Sequence, residues 1–342
     1  MKFSNDITQS LHLKYPIVMA PMFLVSNEPM LHSALEAGIL GCFPSLNYRK
    51  ENELETVLTG LNTKLYKLRN ENLPGNYGVN LIVQRTNIYF KKHLAVCVRN
   101  KVPVYITSLG NPEETIEAAH AYGAKVFCDV TNLQHAEKCF RLGCDGFVAV
   151  GYGAGGHAGN NPLMLLIETL NRNFPKTPIL GAGGIATGQS MLSALTAGAS
   201  AAYIGTRFIA CTESSVVQAY KDAILESGME DIVMTDRLSG TPCSIINTPY
   251  VRKIGTHQNF IERWLSKNSR TKKYFKTLVQ LRGFKQLEEA VKPGNYHNLW
   301  CAGQSVEMID SIKPVREIVD DLVTEMKKAF CDLSQKISAQ ES

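Results

Sequence analysis

The sequence predicts a parallel α/β barrel of the (β/α)8 type with a C-terminal helical lobe over its mouth. Three observations carry that expectation. Short apolar runs recur eight times in the first 210 residues, amphipathic segments with helix start and stop signals lie between them, and the rhythm changes after Arg207. Apolar runs of four to six residues suit strands covered by helices on their outer face and packed on one another inside.

The eight runs are Ile17–Ala20, Ile39–Phe43, Gly78–Val83, Val104–Thr107, Val126–Val130, Gly146–Val150, Pro178–Leu180 and Ala201–Ile204. Ser26-Asn27-Glu28-Pro29 opens a helical segment that ends at Gly38, and Asn111-Pro112-Glu113-Glu114 opens one that ends at Gly123. Thr131-Asn132 precedes a segment ending at Gly143, and Thr187 precedes one ending at Gly198. Short polar caps and carboxylates satisfy the free N–H groups of a first turn, and glycine supplies the left-handed residue that closes the last. Eight such alternations in about 200 residues favour a TIM barrel over an open sheet, although periodicity alone leaves the open sheet possible. No GxGxxG follows the first strand, which removes the usual sign of a dinucleotide-binding sheet.

Residues 1–211 are therefore read as the barrel. Residues 212–300 are read as a helical lobe or lid, with helices joined by loops around Thr241-Pro242-Cys243 and Asn247-Thr248-Pro249. Residues 301–342 are read as a loop facing the active site and a last helix that returns to the barrel wall. Pro314 stands at that helix's first turn, where a missing N–H costs nothing.

Composition narrows the function classes. The chain has 342 residues, 44% hydrophobic and 20% charged, with a formal net charge of +5. That excess is mild, and no basic run with a reading motif marks the barrel half, so nucleic acid is not an expected partner. Nine scattered cysteines without a CxxC argue against a disulfide framework or a zinc site, and the eight histidines form no HExxH or i, i+4 pair. No metal site is expected. The N-terminus lacks an apolar signal region, and no apolar run is long enough for a membrane helix, so the expectation is a soluble cytoplasmic protein.

Two glycine motifs carry the chemistry. Gly181-Ala182-Gly183-Gly184-Ile185 follows the seventh strand and Gly205-Thr206 follows the eighth. In a barrel these two loops commonly form a phosphate site with a helix N-terminus, because glycine lets backbone N–H groups approach phosphate oxygens. Tight turns alone would also use glycine. After the sixth strand, Gly151 to Gly159 holds five glycines around His157. Such a backbone can lie flat against a planar ligand. An imidazole at a barrel mouth can move protons near neutral pH. Ala20-Pro21-Met22 ends the first strand. Asn80 is a polar residue inside a buried strand; a flavin's pyrimidine edge or a core partner would satisfy it equally well.

In this order, "PIVMAPM", "GVNL", "GAGGHAG", "GAGGIATG" and "YIGTRF" resemble the FMN-dependent nitronate monooxygenases, formerly 2-nitropropane dioxygenases. These are related to the flavin-dependent type II enoyl-acyl-carrier-protein reductases. The resemblance spans about residues 15–210 and adds Ala302-Gly303-Gln304. It implies FMN held by Ala20, Pro21, Met22, Asn80, Gly155, Gly156 and Tyr203. It also implies a phosphate cradle at Gly183, Gly184, Gly205 and Thr206, closure by Gln304, and catalysis by His157. Three positions depart from the family pattern. Val150 stands for a common Gln, Gly153 for a common Glu, and Tyr203 for a common Gln, so the pocket near Gly153 is expected to be more open.

The resemblance implies oxidation of nitronates or nitroalkanes with O2 to carbonyl compounds and nitrite, with His157 as base or as donor to the bound anion. The rival enzyme reading is NAD(P)H-dependent reduction of an enoyl thioester. There the basic stretch from Arg263 to Lys285 would dock an acidic acyl-carrier protein, although such a run also serves as a plain solvated face. A third reading is a non-redox barrel that binds a phosphorylated ligand. Cys128, Cys301 and Asp129 lie where each could face the flavin. Packing explains the two cysteines as well, and a contact with the following turn explains Asp129 as well.

Overall fold

In a computed structural model, which describes residues 4–237, 242–257 and 299–338, eight parallel strands close on themselves. They are β1 (Ile17–Met19), β2 (Leu40–Pro44), β3 (Asn76–Ile82), β4 (Val104–Ser108), β5 (Lys125–Val130), β6 (Gly146–Val150), β8 (Ile179–Ala182) and β9 (Ala201–Ile204). Each pairs with its neighbours in that order, and β9 returns to β1 through Val18 opposite Tyr203. All eight strands lie on the eight apolar runs of the sequence.

The period-2 alternation along each strand splits the apolar residues into two cores. Val18, Leu40, Ile106, Phe127, Val148 and Leu180 point inward and fill the barrel, while Met19, Phe43, Tyr77, Tyr105, Phe147 and Ile179 point outward beneath the helices. After α1 (Asp6–Ser10), which precedes β1, the outer ring is α2 (Glu28–Glu36), α3 (Glu53–Asn70), α4 (Phe90–Arg99), α5 (Glu113–His120), α6 (Leu133–Arg141), α7 (Leu163–Asn173) and α8 (Gly188–Thr196). Their ends follow the local signals. The Asn27, Asn132 and Thr187 side chains accept from the N–H groups of Met30, His135 and Ser190, and Gly38, Gly123, Gly143 and Gly198 all have positive φ.

The eighth place in the ring is filled by the C-terminal helix, Val315–Ser338, which packs between α8 and α2. Glu213 fastens its start, accepting from the Val315 N–H at 3.0 Å, and the Glu213 carbonyl accepts in turn from Asn27 Nδ2 at 2.9 Å. The chain thus leaves the barrel after α9 (Thr206–Ile209), makes its excursion, and comes back to complete the wall.

The excursion differs from the expected run of helices. Its described part holds two helices, α10 (Gln218–Glu226) and α11 (Pro249–Ile254), but also an antiparallel pair, β10 (Ile232–Thr235) and β11 (Cys243–Ile246). β11 pairs further with β7 (Gly156–His157), Cys243 opposite His157 and Ser244 opposite Gly156, so this small sheet grows directly out of the glycine loop after β6. The strands are four residues long and carry no polar alternation, so nothing local separates them from helix; long-range pairing decides. The basic stretch from Arg263 to Lys285 lies outside the described residues. Among the described residues no helix is long and apolar enough to cross a membrane.

Candidate active site

The C-terminal ends of the barrel strands gather nearly every residue that the sequence singled out. The glycine loop after β6 is held by the segment that precedes the C-terminal helix. Gln304 donates its backbone N–H to the Gly153 carbonyl at 3.1 Å, and the Gly303 N–H donates to the Thr206 hydroxyl oxygen at 3.0 Å. A Cβ at Gly155 would fall 2.8 Å from the Gly303 nitrogen and 2.9 Å from the Ala302 carbonyl carbon. Gly155 is therefore small because the 302–304 strap lies against it. A Cβ at Gly153 would meet the Gln304 Oε1 at 3.4 Å, so Gln304 reaches the spot where the family pattern carries a longer side chain.

The phosphate-type loops sit beside this strap. Gly183 and Gly184 have φ of +122° and +69°, and the position of a Gly184 Cβ has no atom within 4 Å. Gly205 leaves its own Cβ position 3.8 Å from the Ala20 Cβ and 3.9 Å from the Met22 Sδ, which brings the loop after β1 up to the cradle. The start of α8 is not free to hold an anion: Thr187 caps it through Ser190, and the Gly188 N–H donates to the Glu325 carboxylate at 2.7 Å.

The loop through Ala20, Pro21 and Met22 is fixed by two residues that sequence reading missed. The Ser26 hydroxyl accepts from the Met22 N–H at 2.9 Å. Asn47 Oδ1 accepts from the Leu24 N–H at 2.9 Å, and Asn47 Nδ2 donates to the Ser26 carbonyl at 2.9 Å. Leu24 has φ +59°, a left-handed conformation that this clamp offsets. Asn47 lies after β2 and Ser26 after β1, so no local signal links them.

Across the mouth, Asn80, Ser108 and Asp129 form a chain over the ends of β3, β4 and β5. Asn80 Nδ2 donates to the Ser108 Oγ at 2.7 Å and to the Ile106 carbonyl at 3.2 Å, and the Ser108 Oγ donates to Asp129 Oδ2 at 2.5 Å. Asp129 Oδ1 is shut off from solvent and has no hydrogen-bond partner among the described residues. Burial pushes the Asp129 carboxyl up to about 6, against the pull of the Ser108 hydrogen bond. Tyr203 packs against the inner core; burial, then the charges of Asp129 and Cys42, raise its hydroxyl well above the ordinary range. Ser108 was not foreseen, since an isolated Ser at a strand end is common.

His157 is exposed, on β7, with its backbone in register with Cys243. Of the two cysteines noted in the sequence, Cys128 accepts from the Thr107 hydroxyl at 3.1 Å and packs on the helix side. Cys301 places its Sγ 3.9 Å from that of Cys243. The Tyr220 hydroxyl donates to the Cys301 carbonyl at 2.5 Å, and the Tyr220 ring stacks on Trp300, fixing the base of the strap.

The model of one protein family, described as nitronate monooxygenase, matches residues 5–325. The chain belongs to the nitronate monooxygenase family. It is an oxidoreductase of a flavoenzyme family. A probable nitronate monooxygenase of Staphylococcus haemolyticus is 26% identical, over 96% of this chain and 98% of its own. An octahydro-1H-indene-4-carboxyl-CoA dehydrogenase of Rhodococcus jostii is 24% identical, over 94% of this chain and 95% of its own. Among solved structures, FabK from Thermotoga maritima superposes with a TM-score of 0.82 at 29% identity, covering 98% of this chain and 99% of FabK. Nitroalkane oxidase from Streptomyces ansochromogenes shares the fold, with a TM-score of 0.76 at 23% identity over 96% of this chain and 100% of its own.

Proposed function

We propose that the protein is an FMN-dependent nitronate monooxygenase that oxidises alkyl nitronates with O2 to carbonyl compounds and nitrite. The observation that carries this reading is the pairing of a glycine-built mouth with His157 at its rim, in a chain that belongs to this family over residues 5–325. The residues present fit FMN. Open space faces Gly184 and Gly156, a backbone cradle lies at Gly183, Gly184, Gly205 and Thr206, and the buried Asp129 Oδ1 across the mouth awaits a partner.

Bound there, FMN supplies the electron transfer that no protein side chain can. The chain's own part is positional. Ala20, Pro21 and Met22 line one side of the mouth, and Asn80 and Tyr203 stand at its floor. Gln304 closes the strap side, and His157 holds or moves the proton of an incoming nitro compound. A nitronate is already an anion, so His157 need only donate to it, whereas a neutral nitroalkane requires His157 as base. Gln304 Oε1 takes up the space beside Gly153, so the expected widening of the pocket there is offset by the strap.

A second reading, chemistry on an acyl thioester, is favoured by the Rhodococcus jostii relative, whose name places it on a CoA thioester. Anaerobic mixing of the flavin-loaded protein with propionate-3-nitronate, and separately with NADH, decides between them. Flavin bleaching by the nitronate alone supports the monooxygenase; bleaching by NADH alone transfers the assignment to thioester chemistry. A colourless protein that takes up no FMN removes both.

A further inference from the structure

The barrel mouth contains a carboxyl group that the family pattern of the sequence did not assign. Asp129 is the last but one residue of β5, on the inward face, two residues after the core residue Phe127. One carboxyl oxygen is bonded to the Ser108 hydroxyl, which is itself held by Asn80, so the side chain has a fixed direction. The other oxygen is closed to solvent and unpartnered among the described residues. A buried polar atom of this kind costs roughly 1–3 kcal/mol unless a ligand satisfies it.

Strand order says which part of the ligand reaches it. In the closed ring β1-β2-β3-β4-β5-β6-β8-β9, β3 and β4 lie opposite β8 and β9, with β5 next to β4. A flavin whose phosphate rests on the loops after β8 and β9 therefore extends its ring toward Asn80, Ser108 and Asp129. The polar edge of that ring is the pyrimidine. Its C2 carbonyl and N1 accept hydrogen bonds and carry the negative charge when the flavin is reduced.

Among the described residues, the groups that face Asp129 are neutral. They are Ser108 from β4, Cys42 from β2, Tyr203 from β9 and Cys139 from α6, with Asn80 behind Ser108. Burial raises the Cys42 thiol and the Tyr203 hydroxyl, so neither supplies charge near neutral pH. A planar ring laid over Asp129 would take away its remaining water, and no cation among these groups offsets an ionised carboxylate.

We propose that Asp129 takes up a proton from solvent as the flavin binds and that the neutral carboxyl then donates it as a hydrogen bond to the pyrimidine carbonyl edge. This rests on the FMN reading above. A neutral acid held in an apolar site is a stronger partner for developing negative charge than water is, and here Ser108 aims it. The raised carboxyl value, about 6 before any ring covers it, agrees in direction.

The test is the affinity of apoprotein for FMN between pH 5 and 8.5, read by quenching of flavin fluorescence, for wild type and for Asp129→Asn. Both proteins bind the same phosphate, so the ratio of their dissociation constants cancels its ionisation. The expected ratio changes by about tenfold per pH unit above the break, with wild type weakening as pH rises. Ser108→Ala, which removes the bond that favours the ionised form, moves the break upward. A ratio independent of pH, or wild type binding tighter as pH rises, overturns the proposal. If Asp129→Asn does not fold, an unshifted break in Ser108→Ala overturns it alone. FMN binding to none of the proteins at any pH refutes the flavin reading itself, and the two failures are thereby distinguished.

Discussion

The Gly303 backbone N–H donates to the Thr206 hydroxyl at 3.0 Å, inside the protein, tying together positions 97 residues apart. The strap that precedes the C-terminal helix and the loop that follows β9 are one unit because of it. Thr206→Val keeps the shape and removes the acceptor, leaving a buried N–H unpaired at a cost of about 1–3 kcal/mol. Thr206→Ser retains the acceptor and should retain most of the stability. Thermal melting of the two variants checks this; equal melting temperatures would show that the bond contributes nothing.

Gly155 and Gly156 are neighbours with opposite constraints. A methyl at Gly155 would press on the backbone of Ala302 and Gly303 at 2.9 and 2.8 Å, so Gly155→Ala should push the strap away, with an overpacking cost of about 1–3 kcal/mol. A methyl at Gly156 meets open space, but its φ of +68° makes Gly156→Ala a backbone-strain change of about 1–2 kcal/mol with the strap intact. Limited proteolysis separates them: cleavage near residues 299–304 should accelerate in Gly155→Ala only.

The barrel was legible because its signals are local. Four of the eight apolar runs closely follow a helix-ending glycine, Gly38, Gly123, Gly143 or Gly198, and the structure puts a strand on all eight runs. The glycine loops and Asn80 were legible for the same reason, since each motif is contiguous. The contacts that finish the site are not. Asn47 clamps a loop more than twenty residues away, Ser108 links Asn80 to Asp129, and the Gly303–Thr206 bond spans nearly a third of the chain. The sequence expects helices and connecting loops where β10 and β11 form, because a four-residue apolar run is ambiguous until its pairing partners, residues 156–157 and the strap at Cys301, are known.

Glu325 on the C-terminal helix accepts from the Gly188 N–H at 2.7 Å, a charged acceptor at the first turn of α8. The approach is close enough that a Cβ at Gly188 would lie 2.1 Å from the Met326 nitrogen. Glu325→Gln keeps an acceptor but loses the charge, for an expected loss of about 0.5–1.5 kcal/mol; Gly188→Ala should cost several times more. Urea unfolding midpoints at constant slope measure both. Indistinguishable midpoints for Glu325→Gln and wild type at low ionic strength would remove the charge from the account.

Asp129 also gives the apoprotein a pH dependence of fixed sign. Its folded carboxyl titrates at about 6, against about 3.9 for an unfolded aspartate, because burial outweighs the Ser108 hydrogen bond. The folded state therefore holds this proton more tightly than the unfolded state. The contribution is fully present below about pH 4 and is lost as pH rises through 6. Two units correspond to about 3 kcal/mol, an upper figure because the residue is partly exposed. Cys42, Tyr203 and Cys139, which face the carboxyl, are all raised and stay neutral through that window. Asp129→Asn cannot ionise, so flavin-free Asp129→Asn should melt above flavin-free wild type at pH 8, and the gap should close as pH falls toward 4. A gap of equal size at pH 5 and pH 8 would mean that the substitution acts through packing, not through the proton.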